Sequence, residues 1–161
     1  MTEGAPPRPD APAPDIAVIM TPLPRPRFLT ALCAFNKVDA TVLETSAGPM
    51  AVLADASPEA TQRSARTVSA FVKQAEFLVI ANRGGTVRVD VWKGSTPVRE
   101  LSPGLALADA PGVVTTIITG AQTIDQVALT HPDKVHSTKI GRFKAYRELL
   151  AETKEIRRAE S

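Results

Sequence analysis

Residues 76–93 read E-F-L-V-I-A-N-R-G-G-T-V-R-V-D-V-W-K, two β-rich runs joined by Gly84-Gly85. A two-residue Gly-Gly loop supplies the positive φ angles of a type I′ turn, so this stretch predicts a β-hairpin and, with it, a register. Arg83 then lies opposite Thr86, Ile80 opposite Val89, and Phe77 opposite Trp92. Successive side chains of a strand alternate between faces, which puts Leu78, Ile80, Val87, Val89 and Val91 on one face around Asn82. The other face carries Phe77, Val79, Ala81, Arg83, Thr86, Arg88, Asp90 and Trp92. The first face is the expected core. The second mixes aromatics, arginines and an aspartate, the composition of a surface that meets a partner.

The elements around the hairpin suggest what it packs into. Residues 16–20, I-A-V-I-M, form a short apolar run that reads as a first strand, and a helix is expected from Pro26 through Phe35. Two strands follow at 38–45 and 50–55, joined across Ser46-Ala47-Gly48-Pro49. The next helix has the clearest start signal in the chain: Ser57 to cap it, Pro58 at its first position and Glu59 against the positive end of its dipole. Ala65, Val68, Phe71, Val72 and Ala75 give that helix an apolar stripe opposite Arg63, Arg66, Lys73 and Gln74.

Strand, helix, strand, strand, helix, strand is the order of a ferredoxin-like βαββαβ unit. The expected fold class is therefore α+β, an antiparallel ferredoxin-like sheet extended by extra strands, with helices on one face and a C-terminal amphipathic helix. The extra strands are assigned to the second arm of the hairpin, 97–101 and 113–119, the last because V-V-T-T-I-I-T is dense in β-branched residues. Residues 123–129 fit a helical turn or a strand. From Ser137 to about Ala159 the stripe Ile140, Phe143, Tyr146, Leu149, Leu150 and Ile156 predicts the final helix. Three segments result: a disordered Pro-rich arm at 1–15, a core domain at 16–130, and a turn with a basic helix at 131–161.

Length and composition narrow the classes. A chain of 161 residues suffices for one domain with a core. With 43% apolar but 4% aromatic residues, that core is built from Val, Ile, Leu and Ala. The N-terminal segment lacks a cationic region followed by an apolar run and so does not read as a secretory signal, and no stretch approaches the roughly 20 apolar residues of a membrane span. The expected location is cytoplasmic, with no membrane partner. One cysteine, Cys33, allows no intrachain disulfide and reads as a small buried helix residue. The net charge of +2 is unevenly placed: the middle of the chain is mildly acidic, and the excess positive charge follows Asp133, beginning with Lys134, Lys139, Arg142, Lys144 and Arg147.

Candidate chemistry is sparse. Basic residues beside Phe143 and Tyr146 suit a nucleic-acid contact, although Glu148, Glu152, Glu155 and Glu160 follow and the aromatics fall on the stripe expected to be buried. His131, Asp133 and His136 offer metal-ligand types at a spacing that matches no established motif, so no metal or cofactor is assigned. Arg83-Gly84-Gly85-Thr86 enters a strand, whereas a phosphate-cradling loop enters a helix. No nucleophile-and-base pattern or carboxylate pair stands out, and no catalytic residue is assigned. Ferredoxin-like RNA-binding domains stack bases on an open sheet, but their aromatic signature run is absent here and strand 16–20 has no aromatic.

The sequence thus points to a non-catalytic cytoplasmic subunit that works through protein contacts or self-association. It would use the aromatic sheet face, the Pro-rich arm and the last helix. The expected contact residues are Phe77, Arg83, Arg88, Trp92, Lys139, Arg142, Lys144 and Arg147. The alternative is nucleic-acid binding through 134–147, and the weakest is an enzyme or small-ligand domain near His131, Asp133 and His136. Phe77 and Trp92 decide between a surface open to a partner and one covered by the chain's own last helix or by the 113–119 region.

Overall fold

The computed structural model describes residues 15–137 together with Ala151 and Thr153. The chain runs β1 (Ile16–Met20), α1 (Pro26–Phe35), β2 (Ala40–Thr45), β3 (Gly48–Leu53), α2 (Pro58–Phe71), β4 (Phe77–Arg83), β5 (Thr86–Lys93), β6 (Thr96–Leu101), α3 (Pro103–Ala108), α4 (Gly112–Ile118) and α5 (Ile124–Thr130). A 3-10 turn (Pro132–Lys134) then leads into β7 (Val135–Ser137). The strands form one antiparallel sheet in the order β6-β5-β4-β1-β3-β2-β7. The fold is α+β.

The central hairpin has the register its sequence predicts. Phe77 pairs with Trp92, Ile80 with Val89 and Arg83 with Thr86, and Gly84 and Gly85 turn with φ of 61° and 87°. Both values lie where a side chain is disfavoured, which is why the turn is Gly-Gly. Gly48 is constrained from outside as well. Its φ is 115°, and an added Cβ would stand 2.5 Å from the Thr21 carbonyl oxygen, because the β2–β3 hairpin is held against the end of β1 by a bond from the Thr21 amide to the Pro49 carbonyl. At the start of α2, the Ser57 hydroxyl accepts from the Ala60 amide and Pro58 occupies the first turn, as the sequence signal requires.

Helices cover both faces of the sheet, a correction to the expectation of helices on one face. On one side α1 and α2 pack over Ala17, Ile19, Ala40, Val42, Ala51, Leu53, Phe77, Val79, Ala81 and Trp92. On the other, Val114, Ile117, Ile118 and Val127 of α4 and α5 pack over Val18, Met20, Leu43, Met50, Ile80 and Val89. β1 explains how both faces close: its side chains are apolar at both parities, and four of its five residues are buried. The hairpin faces are accordingly exchanged relative to expectation. Phe77 and Trp92 lie beneath α1 and α2, at 0% and 6% exposure, while the Ile80 and Val89 face meets the later helices.

A second correction concerns the cover of the Ile80 and Val89 face. Of residues 113–119, expected as a strand, 113–118 belong to the helix α4 and Thr119 caps its end. Val114, Ile117 and Ile118 recur at helical spacing and are buried, whereas Thr115 and Thr116 stay partly exposed. Thr116 and Thr119 donate their hydroxyls back to the Val113 and Thr115 carbonyls, which satisfies them within the helix. Periodicity outweighs β-propensity here. Residues 123–129 resolve as a helix closed by a reciprocal capping box between Thr123 and Gln126. Ser137, expected to begin the last helix, ends β7, which pairs with β2. Of that expected helix, Ala151 and Thr153 are helical, and the remainder lies outside the described residues.

Candidate functional site

α2 is latched to the β4–β6 part of the sheet at two points. Near its start, Arg83 at the end of β4 donates from Nη2 to the Ala56 carbonyl at 3.0 Å and to the Thr61 hydroxyl at 3.1 Å. Near its end, the Ser69 hydroxyl accepts from the amide of Ser95, a residue held at φ of 78° in the β5–β6 turn. Between the latches lies a groove of about 420 Å³. Its helix wall is Pro58, Thr61, Gln62 and Arg66; its strand side is Val79, Ala81, Arg83, Arg88, Asp90, Trp92 and Pro97.

The groove has an apolar floor and a cationic rim. Val79, Ala81 and Trp92 are buried and form the floor, so only a margin of the indole is open. Arg88 is committed to acids of its own sheet. Its Nε donates to both Asp90 carboxylate oxygens, at 3.0 and 3.2 Å, and Nη2 lies 3.6 Å from Glu100, contacts that raise its pKa, the Asp90 hydrogen bond first. Arg66 is exposed and has no acid partner among the described residues.

Arg83 is the most informative of the three. It is partly buried, and its guanidinium meets no carboxylate among the described residues. Its Nε is buried and lacks a hydrogen-bond partner. An unpaired buried donor of this kind costs on the order of 1–3 kcal/mol, more for a charged group, and buried cations are ordinarily paired. The groove therefore holds two guanidiniums, of Arg66 and Arg83, that contact no carboxylate among the described residues, while its lining acid, Asp90, is bound to Arg88. Such a site favours an anion and disfavours a cation.

The expected contact residues divide three ways. Arg83, Arg88 and Trp92 come together in the groove. Phe77 does not take part: it is fully buried, and the aromatic face is covered by α1 and α2 rather than by the 113–119 region. Lys139, Arg142, Lys144 and Arg147 lie outside the described residues. Thr61, Gln62 and Arg66 were not among the expected residues, since Arg66 reads from sequence as the solvated side of an amphipathic helix. A signal for them existed: charges at Arg88 and Asp90 share a strand face with Trp92, and a face that carries both needs an opening beside its helix.

His131 closes α5 with its Nδ1 3.0 Å from the Thr130 hydroxyl, Asp133 sits in the 3-10 turn, and His136 in β7 lies 3.3 Å from Glu44. Among the described residues no three His, Cys, Asp or Glu side chains are grouped to hold a metal ion. A smaller recess of about 300 Å³ beside the start of β2 includes Lys37, Asp39, Asp55 and Arg63, a mixed-charge lining. Cys33 is fully buried in α1, and burial pushes its thiol up to about 12, leaving it protonated at neutral pH. No helix among the described residues is long and apolar enough to cross a membrane. No family model, curated protein or solved structure matches this chain.

Proposed function

We propose that the chain is a non-catalytic binding subunit of the cytoplasm that acts through protein contacts, and that its working surface is the groove between α2 and β4–β6. The observation that carries this reading is Arg83, a partly buried arginine with no carboxylate partner among the described residues, set in a groove rimmed by two further arginines. The arrangement fits a partner that brings acidic groups with it. Other parts of the sheet are poorer contact surfaces. β6 is an edge strand, yet Pro97, Arg99 and Glu100 discourage strand addition, and β7 at the opposite edge has three residues.

The order β4-β1-β3-β2 within the sheet, with α1 and α2 on one side, supports reading the first six elements as a ferredoxin-like unit. On that reading β5 and β6 extend one edge, β7 the other, and the short helices α3–α5 close the face that a minimal unit leaves open. The Pro-rich arm and the final helix are further contact segments in this proposal. Nucleic acid is the competing partner, and the burial of Phe77 and Trp92 counts against base stacking on this sheet, because stacking needs an open ring face.

The test is partner capture from native cells by the intact chain and by its Arg66→Glu, Arg88→Glu variant, with captured proteins identified by mass spectrometry. A defined protein recovered with the native chain and lost with the charge-reversed chain is the expected result. A partner retained equally by both chains, or a monomer in light scattering that recovers none, would overturn the reading.

A further inference from the structure

We infer that the groove receives an extended acidic segment of the sequence type acid–aliphatic–acid, its two carboxylates meeting Arg66 and Arg83 and its aliphatic side chain resting on Val79, Ala81 and the margin of Trp92. This deepens the protein-contact reading above and rests on it.

Shape comes first. The latches at Thr61 and Ser69 make the opening a slot that runs along the helix. From Pro58 to Arg66 the helix wall advances eight residues, about 12 Å at 1.5 Å per residue. The strand side from Arg88 to Trp92 advances four residues, about 13 Å at 3.3 Å each. Both walls therefore describe a slot with room for roughly four residues of extended chain.

Charge spacing comes next. Thr61, which anchors the Arg83 guanidinium, and Arg66 are five residues apart on α2, about 7.5 Å along the helix axis. In an extended chain, residues i and i+2 lie on the same side about 6.6–6.8 Å apart. Two acids flanking one residue come close to that axial spacing; positions 61 and 66 also differ by about 140° around the helix, so Arg66 reaches round to the slot it lines. Arg88 is already neutralised by Asp90 and Glu100, so it rims the slot without calling for a third acid.

The floor supplies the remaining selectivity. Val79 and Ala81 are small and Trp92 is 6% exposed, so the floor accommodates an aliphatic side chain and offers no ring face for a nucleobase. A bare phosphate would satisfy the arginines while leaving the apolar floor unused. The acidic segment uses both.

The experiment is fluorescence anisotropy with the full chain and two labelled peptides, Glu-Val-Glu and Gln-Val-Gln within the same Gly/Ser flanks. Inorganic phosphate and a short single-stranded oligonucleotide serve as competitors. Saturable binding of the Glu-Val-Glu peptide is expected, weakened about tenfold in Arg66→Gln, as loss of one charge-assisted contact predicts, and further in the Gln-Val-Gln peptide, which loses two. Arg83→Lys, which keeps the charge but removes the fork, should weaken it comparably in a protein whose thermal unfolding still shows a folded domain.

Equal binding of the two peptides, native affinity in both variants, or displacement by phosphate or oligonucleotide at lower concentration than by unlabelled Glu-Val-Glu would overturn the inference. The two levels fail separately. A partner captured by the native chain and lost on charge reversal, together with no peptide binding, removes the acidic-segment assignment and leaves the binding-subunit reading. A partner indifferent to charge reversal removes that reading whatever the peptides do.

Discussion

The two faces of the sheet are built from the same strands and closed in different ways. On one, two long helices, α1 and α2, bury the large aromatic pair Phe77 and Trp92 but leave a slot beside β5, where Arg88 and Asp90 point to the same side. On the other, the short helices α3–α5 tile an aliphatic surface of valines, isoleucines and methionines in which Asn82 is the buried polar side chain. Here α2, latched near both ends, leaves open beside β5 the slot that Arg88 and Asp90 line. On the proposed reading the first face works and the second supports.

The largest effect expected from that contrast is Phe77→Ala, a loss of about 3–5 kcal/mol in denaturant unfolding, set against about 2–5 kcal/mol for Ile117→Ala on the supporting face. The buried thiol of Cys33 makes the comparison sharper. Because burial holds it protonated, it should react with a thiol reagent only when the α1/α2 face opens, faster in Phe77→Ala and little changed in an equally destabilised Ile117 variant if that face opens locally. Equal labelling in both variants would mean that the two faces open as one.

Arg83→Met ranks next. The substitution keeps an apolar stem, forfeits the bonds to Ala56 and Thr61, and removes the orphaned Nε, so the opposing terms should leave a change within about 1–2 kcal/mol while partner binding is lost. A large loss of stability would recast Arg83 as a structural latch alone. Asn82→Ala is expected to be milder, within about 1 kcal/mol. It gives up the 2.8 Å bond from Nδ2 to the Ile118 carbonyl at the end of α4, and it also removes Oδ1, a buried acceptor without a partner.

The smallest effect belongs to the surface. Glu76 and Arg99 form a bidentate pair at 2.8 and 2.9 Å, and the Arg99 hydrogen bond, first among the causes, lowers the Glu76 pKa. A carboxylate whose folded pKa is depressed stabilises the fold above its unfolded value of about 4.3 and loses that contribution as pH falls through the lower folded value. The native chain and Glu76→Gln should therefore differ slightly in melting temperature at neutral pH and converge under acid. A difference that persists in acid would assign the effect to packing.

The hairpin register was legible pair for pair, because Gly-Gly fixes the turn and the turn fixes the pairing. Which face each helix pair covers was not, since a strand such as Ile16–Met20 with apolar side chains at both parities has no preferred side. The helix at Gly112–Ile118 was masked by β-branched composition, although Val114, Ile117 and Ile118 carry the helical spacing within it. Of the site, Arg83, Arg88 and Trp92 could be named from one strand face. Arg66 could not, because an exposed arginine on an amphipathic helix looks the same whether it faces water or a slot.

The central claim is that one face of the sheet recognises an anion and the other does not. Amide, indole and arginine Nε–H chemical shifts followed during titration with the Glu-Val-Glu peptide test it most directly. The account predicts saturable shifts at Arg83 Nε–H, the Trp92 indole and the Thr61–Arg66 amides, with Val114, Ile117 and Ile118 unmoved. Shifts centred on the α3–α5 face, or none at Arg83 while the peptide binds, would contradict it.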